Sequence, residues 1–171
     1  LPQYRGAAPI NWAVINGETQ TGVTTFFLDH DIDTGRIIMK RTFDIPDDAD
    51  VEYVYDGLMH LGAEIAKDTI DMIIANNGNI ESIAQEDEIT SDTVLNAAPK
   101  IFKDTCRIDW GKSAKQVYDF VRGLSPYPGA WTEMSGCMLK IYKTKKTDQQ
   151  STGQPGEIVA EKKHLYVNCS D

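Results

Sequence analysis

Hydrophobic positions along the chain change period several times, and each change marks an element. Residues 1–9 (LPQYRGAAP) are rich in Pro and Gly and read as a loop. Pro9 suits a first helical turn, so residues 10–15 predict a short helix that stops at Asn16-Gly17. Residues 22–28 (GVTTFFL), rich in β-branched and aromatic side chains, predict a strand. Residues 29–35 are polar and turn-like, and residues 36–45 (RIIMKRTFDI) predict a second strand. Pro46-Asp47-Asp48-Ala49-Asp50 is a strong helix start, because its carboxylates accept from unpaired N–H groups and favour the positive end of the helix dipole. Val51, Val54, Leu58, Leu61, Ile65, Ile70 and Ile73 then recur three to five apart, an apolar stripe that ends at Asn76-Asn77-Gly78.

The second part of the chain reads differently. Residues 79–99 are acidic with little periodicity and predict a linker between domains. A helix follows within residues 109–123, capped by Ser113, with Val117, Phe120, Val121 and Leu124 as its apolar face. Pro126, Pro128 and Gly129 end it. Short strands at 130–134, 137–144, 157–160 and 165–169, separated by Ser135-Gly136 and residues 153–156 (GQPG), predict a small β-barrel. The chain opens on Leu1-Pro2 without a starting Met, and residues 164–169 form a strand with nothing after it. Both ends are therefore expected to be cuts in a longer polypeptide.

Composition is that of an ordinary globular protein, with 41% hydrophobic and 25% charged residues. No apolar run approaches the roughly 20 residues of a membrane helix. Cys106, Cys137 and Cys169 form no CxxC pair and are odd in number, which favours reduced thiols and a cytoplasmic setting over disulfides or zinc. The match of Asn168-Cys169-Ser170 to a glycosylation sequon is then chance. The net charge of -9 speaks against a nucleic-acid partner until the chain is divided. Residues 1–98 carry 5 Lys/Arg against 18 Asp/Glu, a net of -13; residues 99–171 carry 12 against 8, a net of +4. Such asymmetry fits either a polyanion-binding second half or two differently solvated surfaces.

The densest polar cluster is Asp29-His30-Asp31-Ile32-Asp33-Thr34-Gly35. Carboxylates at Asp29, Asp31 and Asp33 imitate the first positions of an EF-hand loop. However, Thr34 stands where that loop requires glycine, Lys40 where it requires a bidentate Glu, and strands flank it instead of helices. No metal is expected. Two readings remain open from the residues alone: an active-site loop between strands, where crowded carboxylates suit proton transfer and His30 titrates beside them, or a solvated hairpin turn.

Residues 1–40 (LPQYRGAAP through TGVT to DTG and IIMK) resemble the signature of the methionyl-tRNA formyltransferase family. Downstream, RIDWGKSAKQVYDFVRGLSPYPGAWT resembles the start of that family's C-terminal domain, and LKIYK with GQPGEIV resembles its strands. The resemblance covers nearly the whole chain in order and spacing. It implies the rear half of a Rossmann-like formyltransferase domain at residues 1–78, a linker at 79–104 and an incomplete OB-like β-barrel domain at 105–171. It implies transfer of a formyl group from 10-formyltetrahydrofolate to the amino group of methionine on initiator tRNA, by a monomeric parent enzyme.

The family's catalytic Asn and His fall upstream of Leu1, and its Asp is Asp33. Leu1, Pro2, Leu28, Asp29, His30, Asp31 and Ile32 would line the pteridine end of the folate. Attack of an amine on a formyl carbon creates an oxyanion that needs aimed donors, and the amine must lose a proton, which a carboxylate such as Asp33 can take. With two of three catalytic groups upstream, this chain is expected to hold a recognisable site with little activity of its own. Lys100, Lys103, Arg107, Lys140, Lys143, Lys145 and Lys146 form a candidate phosphate-contacting face. Trp131 and Tyr142 are either core residues or base-stacking platforms, and Arg5, beside Tyr4, either steers an anion or forms a structural salt bridge. Two other functions remain: formyl transfer to a nucleotide-linked amino sugar or other small amine, and a non-catalytic RNA-binding module.

Overall fold

The structure is a computed structural model that describes residues 1–91 and 93–171. Pro9–Ile15 forms helix α1, with proline in its first turn. Strands β2 (Gln20–Phe26) and β3 (Ile37–Asp44) pair antiparallel from Gln20↔Asp44 to Phe26↔Ile37, with one irregularity between Thr25 and Phe26. Helix α2 (Val51–Ala75) packs across both strands. The Asp50 side chain caps α2 by accepting from the Tyr53 N–H at 3.0 Å.

The apolar stripe of α2 departs from its expected course at the last turns. Ile70, expected on the buried face, is 56% exposed, and Thr69 takes the buried position. The 3.6-residue repeat from Val51, Val54, Leu58 and Ile65 reaches Thr69 next. Its hydroxyl lies 2.7 Å from the Ile65 carbonyl oxygen and 2.9 Å from Thr25 Oγ1, so the buried polar atom is satisfied.

Within residues 79–104, expected to act as a linker, several described residues are tied to the first half of the molecule, while Ile101 packs on the core of the second. Ile83 forms a two-way bridge with Ile37. Gln85–Glu88 makes one 3₁₀ turn. Strand β4 (Ala97–Ala98) pairs parallel with β1 (Arg5–Gly6).

Helix α3 (Ala114–Gly123) begins with a capping box in which Ser113 and Gln116 satisfy each other's backbone N–H groups. It lies against α1. Gly123 permits that approach, since a Cβ there would stand 2.6 Å from Ile15 Cγ1 and 2.8 Å from the Ile15 nitrogen. One core gathers Ala13, Val14, Ile45, Ala49, Val54 and Leu58; a second gathers Cys106, Ile108, Val117, Val121, Leu124, Ala130 and Cys169. Helix α1 serves both, because Ile15 packs on the second while its neighbours fill the first.

Asp119 and Arg122 add a buried ionic tie. Arg122 Nε donates to Asp119 Oδ1 at 2.8 Å and its Nη1 donates to the Ala49 carbonyl at 2.8 Å, just before the α2 cap. Beyond α3, β5 (Ala130–Met134) pairs with β6 (Cys137–Ile141), and β7 (Ile158–Glu161) pairs with β8 (His164–Val167). Where the sequence predicts a small barrel, these are two separate antiparallel hairpins among the described residues. The ladders stop at the hairpin edges, and Leu139, Ile158 and Leu165 remain exposed.

Candidate functional site

The polar cluster of the sequence is the connection between β2 and β3. The expected strand at residues 22–28 ends at Phe26, so Leu28 lies in the loop, 92% exposed. The Phe27 N–H donates to the Arg36 carbonyl at 2.9 Å and closes the base of the loop. Gly35 packs so tightly there that a Cβ would stand 1.6 Å from the Phe27 carbonyl oxygen. Asp33 adopts φ +61, a left-handed conformation that Asp tolerates better than most side chains. The Thr34 hydroxyl donates to the Asp31 carbonyl at 3.0 Å, and Asp29 Oδ1 accepts from the His30 N–H at 2.7 Å. Asp29, His30 and Asp31 are exposed, as is Ile32 at 86%. The Asp33 carboxylate has no hydrogen-bond or ion-pair partner among the described residues and is half-buried.

A residue from far along the chain holds this turn. Gln85 is fully buried. Its Nε2 donates to the carbonyl oxygens of Asp33 at 2.9 Å and Gly35 at 2.8 Å. Its Oε1 accepts from Arg5 Nε at 3.1 Å and Nη2 at 2.6 Å. Among the described residues Arg5 is thus neither in a salt bridge nor free to steer a ligand with those two nitrogens; it is bound to a neutral amide. The same segment adds Arg36 donating to Ser82 and an ion pair between Lys40 and Glu88. Sequence reasoning missed Gln85, because an amide in an acidic, aperiodic run carries no local signal. Leu1 is half-buried, its nitrogen donating to Thr24 Oγ1 at 3.0 Å, and Pro2 is buried beside it. Among the described residues no group of His, Cys, Asp and Glu is arranged to hold a metal ion.

The candidate cations fall into two sets. Lys103, Arg107 and Lys140 surround Trp131. The Trp131 indole N–H donates to the Lys103 carbonyl at 2.7 Å, the Arg107 guanidinium lies 5.6 Å from the ring centroid, and Lys140 is the cross-strand partner of Trp131. Trp131 is half-buried and packs on the second core. Lys100 sits nearby over Phe102, 5.5 Å from its centroid.

Lys143, Lys145 and Lys146 instead line a depression of about 440 Å³ facing Asp48 and Asp50 at the start of α2. There Lys146 donates to Asp47 at 2.7 Å and lies 4.7 Å from the Tyr118 centroid. The hydrogen bond from Lys146 holds the Asp47 carboxyl below its usual range and raises the lysine. Tyr142 is half-exposed at the same depression.

A larger cleft of about 610 Å³ opens between α1 and α3, lined by Trp12, Asn16, Glu18, Asn96, Arg107 and Lys112 among others. At its edge the Tyr4 hydroxyl donates to Glu18. Burial, and then that carboxylate, push the phenol up to about 12.

Comparison with known proteins follows the same division. The model of the formyl transferase family matches residues 1–70, and that of the formyl transferase C-terminal domain matches residues 100–171. A methionyl-tRNA formyltransferase of Phocaeicola vulgatus is 54% identical over 171 residues, covering 97% of this chain and 52% of that protein. One from Parabacteroides distasonis is 52% identical, covering 99% of this chain and 53% of that protein. The chain therefore spans about half the length of the curated relatives it matches. Among solved structures, the N-formyltransferase from Helicobacter canadensis, in complex with folinic acid and dTDP-3-aminofucose, superposes with a TM-score of 0.72 at 20% identity. That match covers 100% of this chain and 60% of the other. HypX from Aquifex aeolicus, in complex with tetrahydrofolic acid, gives a TM-score of 0.67 at 21% identity, covering 99% of this chain and 28% of the other. At such identities the shared property is the fold.

Proposed function

The chain belongs to the formyl transferase family, and from that premise we propose that it serves formyl transfer from 10-formyltetrahydrofolate to the amino group of methionyl initiator tRNA. The observation that carries this reading is the Asp33 turn. It presents a carboxylate without a hydrogen-bond or ion-pair partner among the described residues, on a backbone held by Gln85, with exposed Leu28 and Ile32 on the same loop. Apolar side chains of this kind fit the flat face of a pteridine, so Leu28 and Ile32, with Asp29, His30 and Asp31, would hold that end of the folate. Leu1 and Pro2 lie near β2 and would complete the same wall.

The folate supplies an activated formyl carbon. The Asp33 carboxylate would accept the proton that the attacking amine nitrogen loses as its bond to that carbon forms, directly or through one water; the bond from the formyl carbon to the folate nitrogen would then break, and that nitrogen would take up a proton and leave as tetrahydrofolate. The resemblance implies an Asn and a His as donors for the developing oxygen charge. The two hairpins are read as strands of an OB-like barrel, and Lys100, Lys103, Arg107, Lys140, Lys143, Lys145 and Lys146 as its tRNA-facing cations. No described helix is long and apolar enough to cross a membrane.

Formyl transfer to charged initiator tRNA by the full-length protein tests the proposal. Asp33→Asn is expected to lower turnover roughly 100-fold, the size of a lost acid–base contribution. Full activity in that variant removes Asp33 from the chemistry. Turnover with an amino-sugar nucleotide but not with tRNA moves the chain to the small-amine reading, which the cationic second half disfavours.

A further inference from the structure

We propose that Gln85 is the positioning residue of the Asp33 carboxylate, joining the Arg5 segment and the Asp33 turn into one site; this rests on the reading of Asp33 as the proton acceptor. The carboxylate has no hydrogen-bond or ion-pair partner among the described residues, so its placement rests on the backbone at Asp33, which aims the Cα–Cβ bond and leaves only two side-chain torsions beyond it. That backbone is left-handed, at φ +61, and costs free energy unless something holds it.

The amide of Gln85 supplies the hold. One NH₂ group receives two carbonyl oxygens, those of Asp33 and Gly35, from either side of Thr34. Both oxygens can face one donor only if the chain reverses between them. The orientation of the amide is fixed by chemistry, because its oxygen faces the Arg5 guanidinium, which can only donate. A flipped amide would set N–H against N–H and oxygen against two carbonyls. Both polar atoms of the Gln85 side chain are matched, as a fully buried amide requires. Arg5 and Asp33 belong to separate segments of the chain, and Gln85 bonds to both.

Hydrogen exchange and steady-state kinetics on the full-length protein test this, with Gln85→Leu and Gln85→Glu. Leu removes all four contacts, whereas Glu keeps an acceptor for Arg5 and turns an oxygen on the two carbonyls. Both variants are expected to speed exchange at residues 27–36 roughly tenfold, in line with two lost hydrogen bonds, with α2 unchanged. Both are expected to lower kcat by a similar factor with KM for tRNA within twofold of the parent. Unchanged loop exchange overturns the proposal. So does rescue by Glu, which would mean that the Arg5 contact holds the turn. Gln85→Asn, one methylene shorter, carries the test if the other two fail to fold, and unchanged loop exchange in it is equally fatal. Full turnover in Asp33→Asn refutes the reading of Asp33, while exchange in the Gln85 variants still decides whether the amide holds the loop.

Discussion

At the Asp33 turn, a fully buried amide makes four hydrogen bonds that reach across 50 residues of sequence or more. At the cationic face, Lys103, Arg107 and Lys140 are exposed around Trp131; the Arg107 guanidinium is held by a ring face and the Lys140 ammonium by a single carbonyl. The first arrangement fixes one group in one place. The second keeps long side chains near a surface while leaving them free to adjust. Transfer of a single proton needs placement to a fraction of an ångström, whereas contact with a phosphate chain tolerates a mobile charge. On the proposed reading of these two regions, the fixed contacts stand where placement matters and the adjustable charges where it does not.

If the contrast holds, a change at the fixed turn should cost far more than a change at the cationic face. Gly35→Ala puts a methyl group into the Phe27 carbonyl and should destabilise the first half by roughly 3 kcal/mol or more, read from denaturant unfolding. A loss under about 1 kcal/mol would show that the turn is softer than its packing implies.

Arg122→Ala leaves Asp119 buried with Lys115 as its remaining cation and should cost about 3 kcal/mol, measured the same way. Because Arg122 also donates to the Ala49 carbonyl, exchange at the start of α2 should rise with it. Equal protection there would mean that the helices alone join the halves.

On the cationic face, Arg107→Ala and Lys140→Ala are each expected to weaken tRNA binding and to reduce the salt slope of log K by about 1. Lys146→Ala should change the slope less, since Asp47 already neutralises that charge. An equal effect at all three positions would show that RNA displaces the Asp47 contact.

The smallest effect concerns Tyr4. Its phenol is raised to about 12 in the fold against about 10 in an unfolded chain, first by burial and then by Glu18. The folded state holds this proton more tightly, so the contribution is complete below pH 10 and is lost as pH rises from 10 to 12. Ultraviolet titration should show a late phenolate step that Tyr4→Phe removes. Glu18→Gln should bring it earlier, and no change would assign the whole shift to burial.

Much of the fold was legible because its signals are local. Asp50 and the stripe from Val51 to Ile65 announce α2, Ser113 and Gln116 announce α3, and Ser135-Gly136 marks the β5–β6 turn. Asp33 stood out through its crowded neighbours and the motif around it. Gln85 did not, since its partners at Arg5, Asp33 and Gly35 are distant in sequence and use backbone oxygens that every residue has. Thr69 was hidden for a related reason: a hydroxyl on a buried face needs Ile65 and Thr25 to satisfy it, and apolar periodicity weighs only hydrophobic residues.

The run of residues 83–98 also sets where this polypeptide can be cut and rejoined. It is stitched to the first half at Ile83, Gln85, Asn96 and Ala98. A chimera that borrows the second half of a relative should therefore tolerate a junction just after Pro99. Moved ahead of Ile83, the same junction would bring the donor's own residue to the position of Gln85, and the tie between Arg5 and the Asp33 turn would then depend on that residue.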